Sequence, residues 1–282
     1  MKKAFLFIAI CVLTTQLKAQ SPVLFKIKYL PNHTYFAITK MGMNIEMDYD
    51  GDSTTLKQIK ASGAQLPMIM KVQTDMQSDL KTRGYNLNKE VPFTMMIVQS
   101  KPTLTINGQV TPVPDAASSQ TVYGKYSPNG KVNIEGIQSK TLTDSVKAVV
   151  MGLINNIQAN VEFPRVPIKV GDSFAQQSDM AVPIPGFDAR MTMKITYRLA
   201  SVNNGKARFN MDFVTNIDDK SAATGMKMAG TGTGSFIFDI GAHYAESMNE
   251  TITMTFLRPM PQQNVNMKGT VQMVMEQQVT IK

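Results

Sequence analysis

The chain has 282 residues, 43% hydrophobic and 18% charged, with one Cys, two His, no Trp, 22 Met and a formal charge of +8. An apolar fraction that high excludes a solvated, disordered tail, and a single Cys excludes both a disulfide framework and a four-cysteine zinc site. What remains is an exported, β-rich globular protein whose sequence names no specific activity.

Lys2 and Lys3 precede the apolar run Ala4 to Leu13, and a polar stretch then ends in Leu17-Lys18-Ala19 before Gln20. This order predicts a signal peptide over residues 1–19. The apolar run falls short of the roughly 20 residues that a membrane-spanning helix needs, and Leu17 and Ala19 occupy the places that signal peptidase reads. Lipidation at Cys11 is disfavoured because Ile10, not a small residue, precedes it. Export to the periplasm or the cell surface is therefore expected. Removing residues 1–19 takes Lys2, Lys3 and Lys18 and no acid, leaving 26 of the 29 cations against 21 acids, a charge of +5. Those cations are scattered among acids and lack the basic stripe and stacking aromatics of a nucleic-acid binder.

Beyond the signal, alternation of period two dominates, the mark of half-buried strands. Met41, Met43, Ile45, Met47 and Tyr49 share one face, with Lys40, Asn44, Glu46 and Asp48 on the other. The pattern recurs at Met68, Met70 and Val72; at Met191, Met193, Ile195, Tyr197 and Leu199; and at Ala207, Phe209, Met211 and Phe213. It appears again at Met248, Ile252, Met254 and Phe256, and at Met267, Val271, Met273, Met275, Val279 and Ile281. One wet and one apolar side means antiparallel sheet. Asn107-Gly108 and Asn204-Gly205 predict hairpins over 103–113 and 191–215, and Asp50-Gly51 reads as a further turn. The fold class expected is mainly β: a long, curved antiparallel sheet or open barrel wrapped around one amphipathic helix.

That helix is predicted over 143–159, where Val146, Val149, Val150, Leu153, Ile154 and Ile157 form a stripe behind a Thr143 cap and before Pro164. Weaker helical signals cover 53–64 and 75–82. The proline-broken segment Phe163 to Phe174 reads as a loop returning to the sheet. A single domain over 20–282 is expected, the alternative being two lobes, 21–140 and 165–282, joined by the helix.

Few residues suggest chemistry. Paired methionines could ligate Cu(I), but at i and i+2 in a strand they lie on the apolar face, where a flexible thioether fills irregular core gaps. Gly225 to Ser235 lacks both the dinucleotide and the triphosphate glycine patterns, and Ser235-Phe236-Ile237-Phe238 reads as strand, so a bent strand is expected there. His33 and His243 sit in turn contexts, with no Gly-x-Ser-x-Gly elbow anywhere. Asp48-x-Asp50-x-Asp52 lacks the glycine and distal glutamate of a calcium loop and reads as a turn. No cofactor, metal or catalytic residue is assigned, and an enzyme is not expected.

The Lys-Lys-Ala-Phe-Leu-Phe-Ile start, the Val166-Pro-Ile-Lys-Val-Gly-Asp-Ser-Phe174 loop and the Gly-Thr-Gly-Ser-Phe-Ile-Phe-Asp239 block resemble a family of uncharacterised exported proteins of Bacteroidota. That resemblance implies no activity and no site residues. At the level of architecture, long alternating strands with a buried helix are similar to the open β-barrels of lipid carriers of the LolA and LppX kind.

Two functions are compatible with these observations. The first is a non-enzymatic carrier that holds an apolar ligand, a lipid or acyl chain, in a concavity lined by Met191, Met193, Phe209, Met211, Met254, Phe256, Met273 and Met275. The second is a structural or protein-interaction module of the envelope with a dry core and an envelope protein as partner. An open cavity of about 300 Å³ or more among those side chains favours the carrier, and a sealed interior favours the module.

Overall fold

The computed structural model describes residues 21–63, 65–99, 103–111, 119–128, 132–138, 161–181, 190–217 and 225–282. The expected signal peptide and the expected 143–159 helix lie outside the described residues.

Thirteen strands form one antiparallel sheet. In the first half these are β1 (Thr34–Gly51), β2 (Met68–Thr82), β3 (Val91–Gln99), β4 (Thr103–Ile106), β5 (Gln109–Thr111), β6 (Ser119–Tyr126) and β7 (Val132–Gln138). In the second they are β8 (Ser173–Ala181), β9 (Arg190–Asn203), β10 (Lys206–Ile217), β11 (Lys227–Asp239), β12 (Tyr244–Met260) and β13 (Val265–Ile281). The spatial order is β7-β6-β3-β2-β1-β13-β12-β11-β10-β9-β8, an open path not closed into a barrel. The sheet forks at β2, whose Met70–Gln73 stretch pairs with β4 while Met76–Thr82 pairs with β3. The central β1–β13 pair joins the N-terminal strands to the C-terminal ones.

Turn chemistry places the strands as the dipeptides predict. Asn107-Gly108 and Asn204-Gly205 both carry positive φ at both positions, the two-residue turn whose twist suits a hairpin, and they join β4 to β5 and β9 to β10. Asp50-Gly51 is different. β1 runs on through Gly51, and Asp52 instead caps the helix α1 (Ser53–Ala61) by accepting from the Thr55 backbone N–H at 2.8 Å. The expected turn is thus a strand end followed by a helix, which also bears out the weaker helical signal at 53–64. The signal at 75–82 fails: these residues belong to β2, because Met76 and Leu80 also fit the period-two face that continues from Met68, Met70 and Val72. Of the glycine-rich stretch, Lys227 to Ser235 lies in β11 as strand and Gly225 precedes it.

The inner face is buried in two clusters. The first gathers Phe25, Ile45, Met191, Met193, Tyr197, Phe209, Met211, Phe213, Met228, Phe236, Phe238, Ile252, Met254, Phe256 and Val271 among others. The second gathers Tyr29, Tyr35, Leu80, Val91, Phe93, Met95, Val122, Tyr126 and Val279. The segment before β1 links them, since Phe25 packs in the first, Tyr29 in the second, and Ile27 against both. Val23 is tied to the returning loop by two backbone hydrogen bonds with Ile168, at 2.8 and 2.9 Å.

Candidate functional site

Along β11 the inner face carries Gly230, Gly232 and Gly234, and the missing side chains make a trough. A Cβ on Gly230 would stand 2.5 Å from Met254 Cγ, and one on Gly234 would stand 2.8 Å from Met211 Cε. A Cβ on Gly232 would stand 2.9 Å from Ile252 Cγ1. Neighbouring thioethers and isoleucine thus fill the space that glycine vacates, which is the packing use of a flexible side chain. At Gly269 the ring of Phe256 takes the same role, 2.7 Å from a hypothetical Cβ.

The eight residues predicted to line a ligand cavity all lie on or beside this floor. Met191, Met193, Phe209, Met211, Met254 and Phe256 are no more than 7% exposed, packed into the first cluster. Phe209 stacks on Phe236 with ring centroids 4.7 Å apart and meets Phe25 edge-on at 5.1 Å. Met273 is half-buried against the same cluster, and Met275, also half-buried, stands outside it. Six of the eight are therefore core contacts rather than a wall facing open space.

Another feature lies elsewhere on the inner face. One cross-strand row runs Tyr197, Met211, Gly234, Glu250, Met275, Met41, Thr74, from β9 to β2. Its middle, between the two clusters, is a seam, and Met41, on the inward face of β1, is 38% exposed. Glu250 stands in this seam on the same face as Ile252, Met254 and Phe256. Among the described residues no cation lies within ion-pair distance of it. Burial pushes its carboxyl up to about 7, and the Tyr197 phenol is pushed up to about 12 by burial first and by the Glu250 charge second. A carboxyl tuned this way exchanges its proton near neutrality and, when ionised, would accept a cationic group.

Among the described residues, hollows on the surface include two that are not Met/Phe chambers. One, of about 460 Å³, is bordered by Arg208, Asn210, Ser235, Asn249 and Glu276, with Glu250 and Met275 at its margin. The other, of about 540 Å³, sits beside the β4–β5 hairpin between Gln65, Asn107 and Val110. The His33 Nδ1–H donates to the Pro31 carbonyl at 2.7 Å, and His243 holds a turn with positive φ. Among the described residues no three His, Cys, Asp or Glu come together as a metal site.

Sequence reasoning passed over two features. Glu250 interrupts the alternation Met248, Ile252, Met254, Phe256, and a charge in an apolar register was the available signal. Tyr85 and Leu87, between β2 and β3, are solvent-exposed and fit no period.

Fold and site together define an open, single-sheet antiparallel β protein with a Met/Phe core over a glycine floor and one acid in its seam. Compared with known proteins, the chain matches no family model, and no curated protein matches it.

Proposed function

We propose that the chain is an exported, non-enzymatic interaction module of the cell envelope, using the sheet as a rigid scaffold and its outer surface to meet a protein partner. One observation supports this above the carrier reading: six of the eight predicted lining residues are sealed among other core side chains. The outward residues of β11 and β12 offer a polar, exposed surface instead, with Thr231 and Thr233 beside Thr251, Thr253 and Thr255. The expected signal peptide and the resemblance to exported proteins of Bacteroidota support the envelope as its compartment.

The test is site-specific photocrosslinking in the native host, with the reactive group at Thr253 and, as a control, at buried Met254. The proposal expects a discrete adduct from Thr253 and none from Met254. It fails if no outward position on β11 or β12 crosslinks. A second reading rests on the exposed Met41 beside Glu250 and Met275, where an apolar ligand would lie in the seam. Its check is native mass spectrometry with lipid extraction, in which a stoichiometric lipid would restore the carrier.

A further inference from the structure

The β2–β3 connection presents an apolar tip. Leu87 is 104% exposed and Tyr85 is 54% exposed, so Leu87 stands fully clear and more than half of Tyr85 does. A lone exposed apolar side chain needs no explanation, but two on one built turn do.

This turn is pre-organised. The Asn86 side-chain oxygen accepts from the Asn88 and Glu90 backbone N–H groups at 3.0 and 2.9 Å, and its amide donates to Glu90 Oε2 at 2.9 Å. The Asn86 N–H donates to the Glu90 carbonyl at 2.9 Å, and the Lys89 N–H to the Asn86 carbonyl at 3.0 Å, with Lys89 at positive φ. Lys125 on β6 grips Glu90 at 3.1 Å and Glu135 on β7 at 3.4 Å. The Asn86 amide and this ammonium hold the Glu90 carboxyl below its ordinary range. Little chain entropy is therefore left to lose when Leu87 is buried by something else.

Charge selects the occupant. Lys81, Arg83 and Lys89 flank the tip, all exposed, while the single acid of the turn, Glu90, is already engaged by Lys125. An apolar tip flanked along the chain by exposed cations, with no ion pair to them among the described residues, fits the boundary of an anionic bilayer, where the side chain enters the acyl region and the cations meet headgroup phosphates. We propose that Leu87 and Tyr85 form a membrane-touching anchor specific for anionic lipid, weak and reversible because it inserts so little apolar surface. This goes beyond the interaction-module reading and does not require it: the anchor lies on a loop and uses neither the outer face of β11–β12 nor the seam.

The experiment is co-sedimentation of the purified exported protein with vesicles of equal parts phosphatidylglycerol and phosphatidylcholine, and with phosphatidylcholine alone, at low salt. Binding to the anionic vesicles is expected, weakening as salt rises. Leu87→Asp is expected to lower the partition about tenfold, in line with the transfer of one leucine. Arg83→Glu with Lys89→Glu is expected to abolish the preference for anionic lipid. Because the chain has no Trp, a Leu87→Trp variant carries a single reporter whose emission should shift to the blue on anionic vesicles alone. No sedimentation of the wild type, equal binding by Leu87→Asp, or equal binding to the neutral vesicles would each overturn the proposal. The first of these, with Leu87→Asp breaking a crosslink to another protein, would mark the tip as a peg for a protein pocket instead.

Discussion

The first cluster is filled with Met and Phe, the second with Tyr and Val, yet both cover the same face of one sheet. The difference follows from what lies beneath and beside each. Beneath the first run the glycines of β11 and Gly269 of β13, which leave irregular gaps that thioethers and phenyl rings enter from neighbouring strands. Beside the second is the entry segment, whose polar backbone has to be met: Tyr35 accepts the Leu30 N–H on its hydroxyl at 2.7 Å, and Tyr29 stacks on Tyr126 with centroids 3.6 Å apart. A tyrosine supplies apolar area and a polar tip at once. The methionine excess of the sequence thus has a packing cause in the first cluster, while the second buries Met95 alone of the methionines among its core residues.

The largest effect should come from the most enclosed ring. Phe209 is fully buried and contacts Phe25, Phe163, Phe174 and Phe236. Phe209→Ala should cost about 3–5 kcal/mol in urea unfolding, with most of the cavity left unfilled. A loss below about 1 kcal/mol would mean that the first cluster is loosely packed and that the sealed-core premise of the proposed function is wrong.

Next comes the seam between the clusters. The folded-state value of the Glu250 carboxyl, about 7, lies above its unfolded one, so the folded protein holds that proton more tightly. This contribution to stability is complete below the unfolded value near pH 4 and is lost as pH rises toward about 7. Allowing for water on the open side of the row, on the order of 2 kcal/mol should disappear between pH 4 and pH 8. Glu250→Gln should remove that slope and leave the variant more stable than the parent at pH 8. Urea melts at both pH values decide it, and parallel curves for parent and variant would show that the carboxyl is solvated and the seam is not apolar.

Most of the sheet was legible because its face alternates and two of its hairpin turns, at 107–108 and 204–205, are Asn-Gly. Where two signals overlapped, the local one misled. Residues 75–82 satisfy a helical spacing in isolation, but they continue an inward face begun at Met68, and pairing with β1 and β3 decides their conformation. Asp50-Gly51 has hairpin composition, yet Gly51 pairs with Val265 and the chain turns only at the Asp52 cap. The candidate residues were legible as apolar and inward but not as sealed or open, since Met254 and Met41 both face inward and only the pairing shows that Met254 stands between Gly230 and Val271 and Met41 between Met275 and Thr74. The seam acid was hidden because a single glutamate in an alternating strand has no meaning until its neighbours, Gly234 and Met275, are known.

The glycine floor can be tested by filling it. A Cβ on Gly232 would lie 2.5 Å from the Thr251 carbonyl oxygen and 2.9 Å from Ile252 Cα, both backbone atoms that cannot swing aside. Gly232→Ala should therefore destabilise by about 1–3 kcal/mol, the overpacking range, even though alanine costs the unfolded chain less entropy than glycine. Gly136, with no atom within 4 Å of a built Cβ, is the matched control. Gly136→Ala should be neutral or slightly stabilising, and equal losses at the two sites would remove the packing explanation for the glycines of β11.

The smallest effect bears most directly on whether the first cluster is dry. Thr215 is 1% exposed, in register with Gly230 and Met193, and among the described residues its hydroxyl oxygen has no hydrogen-bond partner. A hydroxyl buried that way forfeits its water bonds without replacing them, so the isosteric Thr215→Val should raise stability by about 1 kcal/mol. The opposite sign would have a specific meaning: the hydroxyl holds an internal water, as roomy polar sites do, and the methionines around it face a hydrated space rather than one another. Six sealed lining residues would then no longer argue for the module over the carrier, so a change of one hydroxyl to one methyl weighs on the choice between the two functions.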